Sequence, residues 1–214
     1  MSDLRAYAKS QMVNRKTDDT WTELRATRDG APIVQPWLTA LTIEGKVYQV
    51  RMGTVTTPLV GDIVITTVAA EAAAEAALGY VIMPVYLNVQ IEALGGTLPE
   101  LAFNSVGALI TTLGTAFTPL NLKIGGAAAN ARAAVAAAGG VAVAADGATT
   151  TRQIYRHTQA VAASVSCIAN QVFEVPHVLV GPASVYLQIG SATTGSDYFG
   201  HFDFVELTAA EISS

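Results

Sequence analysis

The C-terminal residues 182–207 constrain the fold more than any other stretch, because apolar and polar side chains alternate there along two runs. Val185, Leu187 and Ile189 form the apolar set of the first run, and Phe202 and Phe204 form that of the second. A period of two places such a set on one face of a β-strand. The connecting residues 190–196, GSATTGS, favour a turn. We therefore predict two β-strands joined by a polar turn, with both phenylalanines buried against earlier strands.

Earlier parts of the chain predict more strands. Residues 37–52 predict a hairpin, because the β-rich runs LTALTI and VYQVRM flank a short segment that contains glycine. Pro84 lies inside a long β-rich run and requires an edge position or a bulge, since proline donates no ladder hydrogen bond. The remaining strand candidates are residues 21–27, 63–68, 80–92, 101–113, 117–124, 152–167 and 172–180. About eight strands with short turns predict an all-β fold, a jelly-roll-like or Greek-key β-sandwich.

Residues 69–78, AAEAAAEAAL, are the exception, because alanine, glutamate and leucine favour helix. Glu71 and Glu75 would lie on one face, one turn apart. Glutamates at this spacing are also metal-ligand candidates, but no histidine follows either by three residues. We predict a solvated helix face or a connecting loop here.

Composition bears on assembly. The chain is 51% hydrophobic but only 14% charged, whereas an ordinary soluble domain is about 25% charged. A surface with so few charges favours association, and we expect other subunits to cover much of it. The alternative is a monomer coated with threonine, serine, glycine and alanine.

Two regions differ from the rest and define the domain organisation. Residues 1–20 are predicted to form an extended N-terminal arm, and residues 21–214 a single β-sandwich domain with a small-residue insertion at 125–151. Through Lys16 the arm has four basic residues and one acidic residue, a net charge of +3, which leaves −8 for the remainder. A basic arm on an acidic body favours a neighbouring acidic surface or a polyanion, although a solvated tail is the alternative. The insertion is predicted to be a surface loop or a contact with copies of itself.

Motifs for catalysis are missing from the sequence. There is no Gly-x-Ser-x-Gly, and neither Gly125-Gly126 nor Gly139-Gly140 continues as a phosphate-binding loop. The single cysteine, Cys167, would need His157 or His177 beside it to act as a nucleophile, and a buried inert thiol is preferred. We therefore expect no enzyme, no catalytic or cofactor-binding residues and no cofactor.

A metal site is also considered and not favoured. His201 and Asp203 share a strand face while Glu206 lies on the other, and two ligands make a poor zinc site. We expect solvent-facing polar residues here, on the face opposite Phe202 and Phe204. The N-terminus lacks the apolar run of a signal peptide, and no window of 18 strongly apolar residues predicts a membrane span.

Three segments carry a family resemblance: TDDTWTELRATRDGAPI, LTIEGKVYQVRMGT and SDYFGHFDFVEL. With the charge-poor Ala/Thr/Gly/Val-rich body, the chain resembles small virion structural proteins of tailed bacteriophages, of the capsid-decorating or minor head type. The resemblance implies a subunit that self-associates, often as a trimer, and binds other virion proteins in a particle assembled in the host cytoplasm. Direct nucleic-acid contact through the arm is not favoured. The alternative is a carbohydrate- or receptor-binding β module of a tail or spike, using exposed Trp37, Tyr48 or Tyr80.

Overall fold

The structure of the chain is a computed structural model. It describes residues 5–7, 21–23, 36–63, 65, 69–93, 99–112, 114–137, 139–142, 151–158, 167–175, 177–191 and 195–212. Strands β1 (Arg5–Tyr7) and β2 (Trp21–Glu23) pair antiparallel with each other. The rest of the predicted arm lies outside the described residues, as does most of the strand predicted at 63–68.

Two larger sheets make up the body. In chain order their strands are β3 (Val47–Met52), β4 (Leu59–Val60), β5 (Ala69–Ala70), β6 (Ala72–Ala76), β7 (Tyr80–Ala93), β8 (Glu100–Val106), β9 (Thr115–Phe117), β10 (Leu120–Asn121), β11 (Arg132–Val135), β12 (Val141–Ala142), β13 (Thr151–Thr158), β14 (Cys167–Val172), β15 (Leu179–Val180), β16 (Ala183–Gly190) and β17 (Asp197–Thr208). The first sheet has the order β10-β3-β17-β7-β14, with β15 also beside β7 and β4 beside β17. The second has the order β13-β8-β16-β6-β11-β9, and β12 pairs with β5 separately.

The two sheets pack against each other through large side chains. Phe103 of the second sheet contacts Phe202 of the first. Within the first sheet, Phe204 of β17 stacks on Tyr48 of the neighbouring strand β3, with ring centroids 5.9 Å apart. Phe202 and Phe204 are both fully buried, as predicted. The named strand pairs are antiparallel, which confirms the prediction of an all-β fold with a sandwich-like core.

The two C-terminal strands exist as predicted, but they do not pair with each other. Strand β16 lies between β8 and β6 in the second sheet, and β17 lies between β3 and β7 in the first. The polar segment 190–196 therefore connects the centre of one sheet to the centre of the other. Both strands are central, so a neighbouring strand pairs with each of their two edges. All eight residues of β16 are buried.

The predicted hairpin at 37–52 is wrong in its first half, since Trp37–Glu44 forms helix α1. Leu38 and Leu41 are three residues apart and pack against the outer face of the first sheet, so helical spacing prevails over alternation. Gly45 follows with φ 76°, and the amides of Gly45 and Lys46 donate to Thr42 and Leu41. This bonding pattern is a helix C-terminal motif that glycine favours, not a hairpin turn.

The predicted helix or loop at 69–78 is also wrong, because these residues form β5 and β6. Strand β6 lies between β16 and β11, and all five of its residues are buried. Its flanking strands satisfy its backbone groups on both sides, so tertiary pairing outweighs the helix propensity of alanine. Alanines of β6 lie in the same core cluster as Phe202 and Phe204 of the facing sheet.

The segment 125–151 contributes to the chain's own core, contrary to the expectation of a surface loop. Arg132–Val135 forms β11, which pairs with β6 and β9. Ala131, Ala133 and Ala134 are buried within the same chain, while residues 143–150 lie outside the described part.

Pro84 is accommodated as one of its two predicted alternatives. Strand β7 is central, not at an edge, and the register against β17 shifts between Asp203 and Phe204, so that one residue of β7 is extra. This is the predicted bulge.

In the described ranges no helix is long and apolar enough to cross a membrane.

Candidate functional site

The three histidines lie in separate parts of the described structure. His157 lies in edge strand β13, where its ring stacks on Tyr155, and His177 precedes β15. His201 lies in central strand β17, tilted against Tyr86. Across the described residues, no group of three or more histidine, cysteine, aspartate or glutamate side chains is placed to hold a metal ion. The side chain of Cys167 lies outside the described part.

Asp203 does not face solvent as predicted, because it is buried in β17, and Glu206 on the other face of the strand is buried too. The Gln49 side-chain amide donates to Asp203 at 3.1 Å. Burial raises the pKa of Asp203, and the Gln49 hydrogen bond and the nearby His201 offset part of that rise. The Asp203 carboxyl group is therefore held in position by the Gln49 side chain of the neighbouring strand β3.

Glu206 lies on the opposite face of β17, on the side of Phe202 and Phe204. Its carboxylate accepts hydrogen bonds from the backbone amide of Asn130 at 2.9 Å, the side-chain amide of Asn130 at 3.0 Å and the backbone amide of Ala131 at 2.5 Å. The buried Glu206 side chain thus holds in place the two residues directly before β11.

Glu71 and Glu75 perform a similar task and do not form the solvated face that was predicted. Glu71 is 1% exposed and accepts the backbone amides of Asp62 at 3.1 Å and Ile189 at 2.8 Å. Glu75 accepts the backbone amide of Ile110 at 2.8 Å and forms an ion pair with Arg132 on the adjacent strand. Each of these three buried glutamates, Glu71, Glu75 and Glu206, therefore fixes backbone amides from distant parts of the chain. The residues beside them in the sequence do not predict this role.

Glu71 has an unusual electrostatic environment. Burial raises the pKa of Glu71 to about 8, although the two backbone amides favour the charged form and lower it in part. Tyr198 lies close by, and burial followed by the Glu71 charge raises the pKa of its phenol. Within the described ranges the Tyr198 hydroxyl has no hydrogen-bond partner.

A cavity of about 190 Å³ lies at the junction of α1, β3, β7 and the C-terminal end of β17. We call it the Glu206 cavity. It collects side chains that are far apart in sequence: carboxylates, an ammonium group, an amide and two phenols. The residues with these side chains that line it are Glu44, Lys46, Tyr48, Tyr80, Asn130 and Glu206.

The aromatic residues proposed for sugar stacking are only partly placed for it. Tyr48 is 4% exposed and stacks on Phe204, so little of its ring face is free. Tyr80 is half-buried in the wall of the Glu206 cavity, and Trp37 is exposed but does not line that cavity. The three rings do not share one exposed platform.

Exposed apolar side chains mark both edges of the first sheet. On the β10 side these are Leu120, Leu122 and Ile124, the last fully exposed. On the β14 and β15 side they are Val172, Val175, Val178 and Val180, and we call this set the valine edge. A second cavity of about 430 Å³ adjoins the valine edge and is lined by Val178, Val180, Val106 and Arg152 among others.

Comparison with protein-family models, with curated proteins and with solved structures finds no match to this chain.

Proposed function

We propose that the chain is a virion structural protein of a bacteriophage, a capsid or capsid-decorating subunit that self-associates and binds neighbouring virion proteins. In this proposal the sandwich has jelly-roll-like wiring, the assembly is a homotrimer and the protein is not an enzyme. The observation that supports self-association best is the pair of apolar edges on the first sheet.

Edge strands of soluble sheets ordinarily carry charges that prevent pairing with other chains. Strand β13, at an edge of the second sheet, follows this rule with exposed Arg152 and Arg156. Strand β14, at an edge of the first sheet, has the sequence CIANQV and no charge, and β10 has none either. The first sheet therefore offers unprotected edges and exposed apolar side chains at the same places.

These two edges differ from each other, which favours a ring. If the β10 edge of one copy meets the valine edge of the next, the contact is heterologous, and it forms a ring where the rotation between copies closes. Three copies form the smallest such ring beyond a pair, in agreement with the trimer that the family resemblance implies.

The test uses light scattering at micromolar concentration. We expect an oligomer for the wild type and a shift to smaller species for Val172→Lys, which places a charge on the valine edge. Val55→Lys is the matched control, because Val55 is 62% exposed and Val172 57%, but Val55 lies in the turn between β3 and β4. A monomeric wild type contradicts self-association, and equal behaviour of both variants contradicts the role of this edge.

Ala136 is not suitable for this purpose, although the small-residue segment was predicted to form the contact. Its amide donates to the Glu71 carbonyl at 2.8 Å, and its side chain packs on the outer face of the second sheet. Ala136→Glu would therefore disturb the fold of the single chain as well as any contact between copies.

The virion assignment has its own test. Mass spectrometry of virus particles purified from the source of this sequence should detect the chain as a component present in many copies per particle. Its absence from the particles contradicts the proposal even if the purified protein is a trimer.

A further inference from the structure

The outer face of the first sheet has a covered half and an open half. Helix α1 packs on the half that contains Val47, Val81 and Val205. On the other half, polar side chains and one phenylalanine point outward, because the residues that alternate with them lie in the core. We call this second half the open face and define it by Gln49, Arg51, Gln90, Phe199, His201 and Asp203.

Strand pairing brings the polar groups of the open face together. Arg51 of β3 lies opposite His201 of β17, and Gln49 lies opposite Asp203 on the same ladder. Opposed residues of an antiparallel pair have Cβ atoms about 4.5–5.5 Å apart. One small ligand can therefore contact side chains of both strands.

Several polar atoms of the open face are not used by the chain's own hydrogen bonds. One Asp203 oxygen accepts from the Gln49 amide, while the other is open to solvent and has no partner among the described residues, although Asp203 is only 9% exposed. The Gln49 side-chain carbonyl and the exposed Arg51 guanidinium also have no partner in the described ranges. Gln90 donates to Asn88 at 3.4 Å and keeps its carbonyl oxygen available. The open face thus offers donors and acceptors side by side.

Phe199 adds an apolar surface to this polar array. It lies opposite Gln90 and two residues before His201, on the same face of β17. Its ring is half-buried, yet it belongs to none of the hydrophobic clusters of the described structure. Phe202, on the inner face, is fully buried in the core. An aromatic ring that the core does not use, beside unpaired donors and acceptors, has the composition of a ligand site.

We propose that the open face binds a sugar ring. A hydroxyl group both donates and accepts, so neighbouring sugar hydroxyls pair with the free Asp203 oxygen and with the Arg51 guanidinium at the same time. The C–H face of the ring packs on Phe199. Arg51 and Asp203 have opposite charges, so the face favours neither an anion nor a cation over a neutral ligand.

The open face is a different surface from the one that Trp37, Tyr48 and Tyr80 were expected to form, and it does not depend on the virion proposal. A free sugar and a sugar unit of a glycan present the same ring to it. The probes are therefore single methyl glycosides and the corresponding disaccharides.

Amide NMR titration of the full chain tests the site, with the methyl glycosides of glucose, galactose, mannose and N-acetylglucosamine. We expect at least one of the four to bind saturably and to shift the amides of Gln49, Gln90 and His201. Absence of saturable binding by all four overturns the proposal, as do shifts confined to other regions. Glycine, which carries both charges but no ring, should not bind, and binding of glycine as strong as that of the sugars also overturns it.

Variants of exposed and half-buried side chains then assign the contacts. Arg51→Met should weaken binding of that glycoside at least about tenfold, since hydrogen bonds from a charged group are lost. Phe199→Ala should weaken it by a similar factor, because the stacking surface is removed. Arg152→Met is the matched control, since Arg152 is also an exposed arginine without a side-chain partner in the described ranges, but lies at the edge of the other sheet. Unchanged affinity in both open-face variants, or equal weakening in Arg152→Met, overturns the proposal.

The disaccharides distinguish the two sources of the sugar. Tighter binding of the disaccharide than of its methyl glycoside supports the site and indicates a glycan. Equal affinity supports the site and indicates a free sugar.

Discussion

The rings of Phe103 and Phe202 lie with their centroids 5.3 Å apart and tilted by 55°, and they join the middle of the two sheets. Both side chains are fully buried. Phe202→Ala should lower the free energy of unfolding by about 3–5 kcal/mol, from lost burial and the cavity left behind. Urea denaturation measures this. Phe199→Ala, at a half-buried position of the same strand, is the control, and a loss under about 1 kcal/mol at Phe202 contradicts its central role.

The sequence predicts best those parts of the fold where local pattern and tertiary environment agree. Alternation in β16 and β17 coincides with their strand structure, and Phe202 and Phe204 of β17 are buried as expected. The local sequence pattern predicts the wrong structure at α1 and β6. In α1 a glycine that terminates a helix resembles a hairpin turn, and in β6 the neighbours β11 and β16 impose a strand on residues that favour a helix.

The candidate site is less predictable, since it depends on long-range contacts. Tyr48, Asn130 and Glu206 line one cavity although they are separated by about 80 residues at each step, and no local motif links them. The buried glutamates show the same difficulty. Glu71 and Glu75 are flanked by alanines, which reveal nothing of the backbone amides of Ile189 and Ile110 that they bind.

The Glu75–Arg132 ion pair should stabilise the second sheet. Glu75 is 3% exposed, whereas the Arg132 side chain is 56% exposed, so solvent weakens the pair from one side. Arg132→Met should lower the free energy of unfolding by about 1–3 kcal/mol, because it leaves a buried carboxylate with fewer partners.

A double-mutant cycle with Glu75→Gln measures the coupling of this pair in the same denaturation assay. In the Glu75→Gln background, Arg132→Met should cost clearly less than in the wild type. Equal costs in both backgrounds would show that Arg132 acts through packing alone.

The raised pKa of Glu71 makes stability depend on pH. Its ordinary pKa is 4.5, and its value in the folded chain is about 8. Below pH 4.5 the carboxyl group is protonated in both states. Between these values the unfolded chain loses the proton first, so the free energy of unfolding decreases as pH rises, by at most about 1.4 kcal/mol per pH unit. Denaturation from pH 4 to pH 9 measures this slope.

Glu71→Gln is the informative control, because it keeps the side-chain size and removes the titration. The variant should lack the pH dependence of the free energy of unfolding that Glu71 causes. Its stability relative to the wild type should therefore increase from pH 5 to pH 8. Asp203, whose pKa is also raised, contributes in the same direction in both proteins and cancels in the comparison. Parallel pH profiles would contradict the raised pKa of Glu71.

Gly200 should be the least replaceable glycine of the first sheet. It lies in central strand β17 between Met52 and Val89, and a Cβ at this position would overlap the backbone oxygen of Asn88. The backbone of a central strand cannot move aside without disturbing two ladders, so Gly200→Ala should lower the free energy of unfolding by about 1–3 kcal/mol. Gly107→Ala is the control, since a Cβ there meets no atom within 4 Å, and its effect should stay within about 0.5 kcal/mol. Urea denaturation of both variants decides the matter, and similar small effects would mean that β7 and β17 are farther apart at Gly200 than the structure places them.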